Sequence, residues 1–149
     1  MANYESATVQ KLEDARACDL PVKEFYFPSG ILGFSTCRRY RVERFQPADG
    51  SESPFLVLAA LDQELCFPVI HPQSMNLDYQ LPVSPELLAA LGARSQDELI
   101  PLLIVTVRDQ VEAITVNLQG PVVLNPYSSL GTQLVVENYP LRHPLLKRV

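Results

Sequence analysis

Reactive and metal-ligating side chains are scarce in this 149-residue chain, which holds two histidines and three cysteines. His71 and His143 are far apart, and no Cys or His pair has the spacing of a metal site. An odd number of cysteines without close spacing also argues against a disulfide framework. We therefore expect no metal, no cofactor and no disulfide scaffold, and we interpret both histidines as polar loop residues.

Long apolar runs and phosphate-binding loops are absent as well. No run approaches the ~20 apolar residues that span a bilayer, and Met1–Lys11 lacks the apolar centre of a signal peptide. Gly30 and Gly33 are three residues apart without a following Lys-Ser/Thr, so we interpret this stretch as a tight apolar loop anchored by Phe27 and Phe34. These absences predict a cytoplasmic protein with no membrane segment, and the length favours one domain spanning residues 1–149.

Charge is unevenly distributed along the chain. The net charge is −5, but residues 49–137 contain eleven acids and two bases, while positive charge gathers in residues 38–44 and 142–148. An acidic body repels nucleic acid and favours association with a basic protein. For any single acid, a solvated surface position is the simpler interpretation.

Thirteen prolines divide the chain into short segments rich in β-forming residues. We predict strands at Lys23–Phe27, Tyr40–Phe45, Phe55–Ala60, Leu65–Ile70, Leu102–Arg108, Val111–Leu118, Val122–Leu124 and Gln133–Glu137. Asp109-Gln110 is a plausible hairpin turn, and Tyr4–Ala17 fits either a short helix or an edge strand. Many short strands with frequent turn signals indicate a barrel or sandwich.

One helix is clearly signalled between Ser84 and Gly92. Ser84 can cap it, Pro85 suits its first turn, Glu86 favours the positive end of its dipole, and Gly92 can end it. A capping-box pattern at 95–98 predicts a second short helical turn. The predicted fold class is therefore mainly β: a small single-domain β-barrel-like fold with one or two short helices.

The stretch Thr115–Asn125 predicts a half-buried strand, a corner at Gly120-Pro121 and a second buried strand. We expect Gly120 to adopt a backbone conformation closed to other residues, and Pro121 removes a ladder donor. Asn117 and Asn125 stand near the ends of the two predicted strands. Each can hold a loop through backbone hydrogen bonds or face a partner.

Two other functions are weighed from the residues. Arg38, Arg39, Arg41 and Arg44 with Tyr40 compose a weak RNA-binding patch, although an edge strand with the arginines on its outer face explains the pattern without RNA.

An enzyme is the least favoured interpretation. Cys37 beside two arginines is the one thiol suited to nucleophilic chemistry, but the sequence shows no positioned base. Cys66 lies in an apolar strand and is interpreted as a buried small hydrophobe.

An ordered set of motifs runs from about Phe27 to Leu145. It comprises Phe27-Pro28-x-Gly30-Ile31-Leu32-Gly33-Phe34, Pro54-Phe55-x-x-Leu58, Asp62, Phe67-x-Val69-x-x-Pro72, Tyr79, Val105-Thr106-Val107, Thr115-Val116-Asn117-Leu118-x-x-Pro121-Val122, Gly131-x-Gln133 and Tyr139-x-x-Arg142-x-Pro144-Leu145. In this order and spacing the chain closely resembles the FliW family of flagellar assembly factors. Ser6–Glu13 departs from the family pattern, because it lacks the usual Phe-Gly turn of the first strand.

The resemblance implies a small cytoplasmic β-barrel-like protein without enzymatic activity. It implies two protein partners, flagellin and the translational repressor CsrA, with no direct contact to nucleic acid or membrane. In this family, free FliW holds CsrA off the flagellin message, and accumulated flagellin occupies FliW so that CsrA represses translation.

The candidate partner-binding residues fall into two sets. Asn117, Asn125, Gln133 and Tyr139 carry family motifs, although buried polar groups normally serve the fold. Asp62, Glu64 and Asp78 are candidates from charge alone for contacting a basic partner. For flagellin, the loop Ile31-Leu32 and the region Tyr139–Leu146 are expected to border an apolar groove, although both can simply close the core.

Overall fold

A computed structural model describes residues 23–45, 47–50, 53–106 and 114–144. Within these ranges the strands are β1 (Lys23–Tyr26), β2 (Arg39–Arg44), β3 (Phe55–Ala60), β4 (Cys66–Ile70), β5 (Ile100–Thr106), β6 (Thr115–Asn125), β7 (Leu130–Gln133) and β8 (His143–Pro144). One helix, α1 (Pro85–Ala90), and two 3-10 turns, Pro72–Met75 and Gln96–Glu98, complete the described elements. The predicted fold class is confirmed. No helix in the described part is long and apolar enough to cross a membrane.

Seven of the strands close into a barrel. The sheet order is β5-β4-β3-β2-β1-β7-β6, and β5 also pairs with β6, which completes the ring. All pairings in the ring are antiparallel except β1 with β7, whose single paired position is Tyr26 opposite Leu130. Strand β8 lies outside the ring, and among the described residues it pairs with the first two positions of β6. Closure removes the open strand edges that favour aggregation.

Alternation along the strands fills the barrel interior. On β2, Tyr40 and Val42 are buried while Arg39 faces solvent, as predicted for an amphipathic strand. The prediction of an edge strand is wrong, because β2 pairs with β1 on one side and β3 on the other. Leu56 and Leu58 on β3 pack into the same interior cluster, where the ring of Phe27 meets Tyr40 edge-on at 5.1 Å between centroids. The barrel therefore has a packed core made by one face of each strand.

Two further apolar clusters cover the outside of the barrel. On one side, Leu103, Val105, Val116 and Leu118 are covered by the segment that follows β4. On the other side, α1 packs Leu87 and Leu91 against Val123 of β6. Strands β5 and β6 are apolar on both faces for this reason.

The helix begins and ends as predicted. Ser84 Oγ accepts a hydrogen bond from Leu87 N at 3.1 Å, Pro85 takes the first helical position, and Gly92 adopts φ +61 after the last turn. The second predicted turn exists at Gln96–Glu98, but Ser95 makes no side-chain cap. The capping box is therefore wrong, because Glu98 reaches Arg94 instead.

Three strand predictions need correction. The two predicted strands that flank Gly120 are one strand, β6, so the chain does not turn there. The predicted strand Gln133–Glu137 is shifted, because β7 covers Leu130–Gln133. The predicted hairpin at Asp109-Gln110 and the segments Tyr4–Ala17 and Ser6–Glu13 lie outside the described residues.

Candidate functional site

A large bulge in β6 carries a network of polar contacts within the described structure. Leu102 on β5 pairs with Val122, but Ile104, two residues on, pairs with Asn117. The β6 strand therefore carries three more residues than its partner between these pairs, at Leu118–Pro121. We call this the β6 bulge. Bulges bend a strand and redirect side chains, and they are frequent near functional sites.

Asn117 holds the bulge from within. Its Oδ1 accepts hydrogen bonds from Gln119 N at 2.8 Å and Gly120 N at 3.0 Å, two donors that the interrupted ladder leaves unpaired. Its cross-strand partner Ile104 packs against the barrel core, so Asn117 projects toward the interior side of the sheet. An asparagine that satisfies backbone amides in this way has a structural role.

Gly120 is required for space. Its φ lies outside the left-handed region, so the expectation of a special backbone conformation is wrong. A Cβ at this position would lie 2.8 Å from Gln133 Nε2 and 3.1 Å from Asn117 Nδ2. The close approach of two amide side chains therefore explains the glycine.

Gln133 joins the bulge to the apolar loop. Its Nε2 donates to Gly120 O at 2.9 Å, and its Oε1 accepts from Leu32 N at 2.8 Å. The loop itself is tight, because Gly30 and Gly33 both have positive φ and Ile31 pairs with Phe34. One side chain thus fixes the loop against β6.

Tyr139 fixes the other side of the bulge. Its ring stacks on Tyr79 with centroids 4.5 Å apart, and its hydroxyl accepts from Gln80 N at 2.8 Å. Its carbonyl accepts from Gln119 Nε2 at 2.9 Å, while the Tyr79 hydroxyl donates to Leu118 O. Burial, with a smaller contribution from Tyr139, raises the pKa of Tyr79 to about 12, so this hydroxyl stays a donor.

Asn125 lies at the far end of β6 and is fully buried. Its Nδ2 donates to Leu91 O at 2.8 Å, its Oδ1 accepts from Tyr127 N at 3.0 Å, and Ser128 Oγ donates to the same Leu91 carbonyl at 2.6 Å. These bonds satisfy the carbonyl of Leu91, the C-cap residue directly after α1, and hold the turn between β6 and β7. The structure therefore gives Asn125 a role in joining the helix to the barrel.

The three candidate acids occupy two different segments. Asp62 and Glu64 lie exposed in the turn between β3 and β4, whereas Asp78 lies in the segment between Met75 and α1. Asp62 accepts a hydrogen bond from Arg39 at 2.7 Å, and this bond lowers the pKa of Asp62 and raises that of Arg39. Asp78 accepts from Gln80 Nε2 at 3.0 Å.

The arginine patch is partly neutralised on the barrel surface. Arg39 pairs with Asp62, and Arg41 lies 3.4 Å from Glu24 and 3.6 Å from Glu43. Carboxylates beside these guanidinium groups oppose the approach of phosphates. This arrangement speaks against the RNA-binding alternative.

Cys37 is buried and Cys66 is exposed, the reverse of what we expected from the sequence. Cys37 is 1% exposed within the barrel core. Burial raises the pKa of Tyr40, and Cys37, which lies beside the Tyr40 hydroxyl, raises it further. Cys66 is exposed because β4 places it opposite Ala59 on the outer face of the barrel, so the expectation of burial was wrong. A thiol sealed in the core does not offer the accessible nucleophile that the enzyme hypothesis required.

His71 lies in the connection after β4, as expected, but its side chain is buried. Its Nδ1 accepts from Gln73 N at 3.0 Å and caps the 3-10 turn, while its Nε2 has no hydrogen-bond partner among the described residues. His143 lies in β8, where it pairs with Val116 of β6. In the described residues no group of three His, Cys, Asp or Glu side chains is arranged to hold a metal ion.

Exposed apolar side chains occur on the segments that hold the bulge, and one of them, Val135, lies outside the regions that were expected to border a groove. Leu32 is 65% exposed, Val135 61% and Leu141 51%. Leu32 is tied to Gln133, and Val135 follows Gln133 by two residues. Ile31, by contrast, is buried, so the apolar loop presents Leu32 to solvent. A single sequence gives no signal that Val135 lies outside the core, because its neighbours Leu134 and Val136 are equally apolar. Leu141, by contrast, falls within the region 139–146 that was expected to border a groove.

Comparisons with known proteins agree on one family. The family model described as "FliW protein" matches residues 11–145. The flagellar assembly factor FliW of Natranaerobius thermophilus is 39% identical over 124 residues, covering 80% of this chain and 79% of that protein. FliW of Thermoanaerobacter pseudethanolicus is 30% identical over 132 residues, covering 87% and 86%. The crystal structure of a flagellar assembly factor FliW superposes with a TM-score of 0.73 at 26% identity, covering 84% of this chain and 86% of that one.

Proposed function

This chain belongs to the FliW family of flagellar assembly factors, and from that premise we propose that it binds flagellin and antagonises the translational repressor CsrA by partner switching. The family match over residues 11–145 carries the proposal. We further propose that the protein is cytoplasmic, folds as a single domain and controls flagellin synthesis without catalysing a reaction. When flagellin is scarce the free protein sequesters CsrA, and when flagellin accumulates it releases CsrA to repress translation.

Flagellin is proposed to contact the apolar side of the β6 bulge. Leu32 is exposed on the loop that Gln133 ties to the bulge, and Leu141 is exposed two residues after Tyr139, which also contacts the bulge. Flagellin termini that are disordered before assembly can order on such a surface and bury apolar side chains. Residues 145 and 146 of the proposed groove lie outside the described residues.

CsrA is proposed to contact the acids, because a basic partner is attracted by carboxylates. Glu64 and Asp78 are exposed, and Asp62 forms an ion pair with Arg39. Asn117, Gln133 and Tyr139 enter the proposal through the bulge that they hold. Asn125 is fully buried and enters it only as a positioning residue for the turn after β6.

Calorimetry tests the switch. The purified protein is titrated with flagellin and, separately, with CsrA, and the CsrA titration is repeated on the flagellin complex. Binding of each partner alone, with CsrA excluded by flagellin, is the expected result. Binding of neither partner overturns the proposal, and undiminished CsrA binding to the flagellin complex overturns the switch.

Leu32→Asp tests the flagellin surface. A charge at this exposed position opposes burial against an apolar partner, so we expect at least a tenfold loss of flagellin affinity. Phe45→Asp is the matched control, because Phe45 is also exposed but follows β2, whereas the Leu32 loop precedes it. Five residue steps of β2 separate the two loops by about 17 Å. Equal losses in both variants, or none in Leu32→Asp, would contradict this location.

A further inference from the structure

The segment that follows β7 runs along β6 without forming part of the barrel ring. Leu134 N donates to Pro121 O at 2.9 Å, and Val136 N donates to Gln119 O at 2.6 Å. The segment then leaves β6 and returns at β8, where His143 and Pro144 pair with Val116 and Thr115. The ring closes through β5–β6 and β6–β7, so its integrity does not require β8.

Attachment of this segment beyond Val136 is sparse. Residues 137, 138, 140, 141, 142 and 144 are exposed, whereas Val136 is buried. Within the described residues strand β8 contributes two ladder positions, and Pro144 has no backbone donor to offer. Segments with few buried contacts and little backbone pairing are the ones that open locally while the rest of a protein stays folded.

Tyr139 gathers the contacts that hold the middle of the segment. Its ring lies on Tyr79, its hydroxyl accepts from Gln80 N, and its carbonyl accepts from Gln119 Nε2. The same side chain packs against the outer apolar cluster, to which Val116 and Leu118 of β6 belong. One side chain therefore connects the segment both to the bulge and to the chain between β4 and α1.

We propose that residues 137–144 form a strap that opens as a unit about Val136 while the barrel stays closed, with Tyr139 as its latch. Opening uncovers the outer face of β6 at Val116 and Leu118 and frees the edge of β6 at Thr115. Because Gln80 N loses its acceptor when Tyr139 leaves, its amide reports each opening.

Amide hydrogen exchange followed by NMR tests the strap in the full chain. Gln80 N is expected to exchange at least 100-fold faster than the amides of β2 and β3. Its exchange rate is expected to stay the same at low urea concentrations, because a local opening exposes little surface. Exchange of Gln80 at the rate of these barrel amides, with the same urea dependence, would overturn the proposal.

A reversible cross-link tests whether the strap moves as a unit. In Thr115→Cys with Pro144→Cys, the paired positions of β6 and β8 can form a disulfide, and Cys18 and Cys66 are replaced by serine. Oxidation is expected to slow exchange at Gln80 at least tenfold relative to the reduced form of the same protein. Unchanged exchange at Gln80 in the oxidised form would show that Tyr139 and β8 move independently. This result would overturn the proposal that the strap opens as a unit.

Trypsin provides a second readout that needs no cross-link. Arg142 lies in the strap, and Arg41 lies in β2 of the ring. Tyr139→Leu is expected to increase cleavage after Arg142 at least tenfold with little change at Arg41, whereas the same substitution at the exposed Tyr26 of β1 leaves both unchanged. Equal increases at Arg142 and Arg41 in Tyr139→Leu would show that Tyr139 supports the whole fold, which contradicts a latch.

Discussion

Asn125 and His71 are buried polar side chains of the described residues, and they are satisfied to different degrees. Asn125 uses both ends of its amide, on Leu91 O and Tyr127 N. His71 uses only Nδ1, which accepts from Gln73 N, and its Nε2 remains without a partner. Because an unpaired buried polar group costs stability, His71 is the less favourable of the two for the fold. Protonation would make it worse, since Nδ1 would then present a proton to the amide it now accepts from.

Acid is therefore expected to destabilise the protein through His71. Burial lowers the pKa of His71 from 6.5 to about 4. Below pH 6.5 the unfolded state binds more protons than the native state, so stability falls as the pH drops toward 4 and levels off below it. A shift of this size corresponds to about 3 kcal/mol.

Urea unfolding between pH 7.5 and 3.5 measures this effect. In His71→Asn the side chain does not titrate, yet it keeps an oxygen that can accept from Gln73 N. We expect the variant to lose about 3 kcal/mol less than the natural chain between pH 7 and 4. Parallel stability curves for the two proteins would assign the acid sensitivity to other groups.

At the scale of elements, local signals predicted α1 and most barrel strands, because caps and alternation act over a few residues. The bounds of β3 were predicted in full, and Ser84 and Gly92 delimit the helix as expected. The β6 bulge was not predicted, because its cause is the long-range meeting of Gln133 with Gly120. The shift of β7 has a similar origin: Leu130 pairs with β1, which is distant in sequence. The candidate polar residues were found by motif, but their network of bonds depends on this tertiary arrangement.

Gly120→Ala is expected to destabilise the bulge. The added Cβ would press on Gln133 Nε2 and Asn117 Nδ2, both in an ordered network, and overpacking of this kind costs about 1–3 kcal/mol. In a Gln133→Ala background the nearest obstructing atom is gone, so the same substitution is expected to cost less. Denaturant unfolding of the two single variants and the double variant measures the coupling. Strictly additive losses would contradict the steric account of Gly120.

At the scale of the whole molecule, closure and charge act together. The ring of strands leaves few backbone groups for adventitious pairing, and the net charge of −5 opposes self-association. The carboxylates are not confined to one segment, since Asp62 and Glu64 precede β4 and Asp78 follows it. Electrostatic attraction sums over such dispersed charges and acts before contact, so it affects association rates more than residence times.

Reversal of all three acids, Asp62→Lys, Glu64→Lys and Asp78→Lys, is expected to slow CsrA association at least tenfold and to flatten its dependence on salt. Glu64→Lys with Asp78→Lys is measured beside it, because this pair spares the ion pair of Asp62 with Arg39. Stopped-flow or surface-binding kinetics from 50 to 500 mM salt separate association from dissociation. Flagellin binding by the same variants serves as the control, since the proposed flagellin contact is apolar. If CsrA association and its salt dependence persist in the triple reversal, these acids do not attract the partner, and the contact must be sought among the polar residues of the β6 bulge.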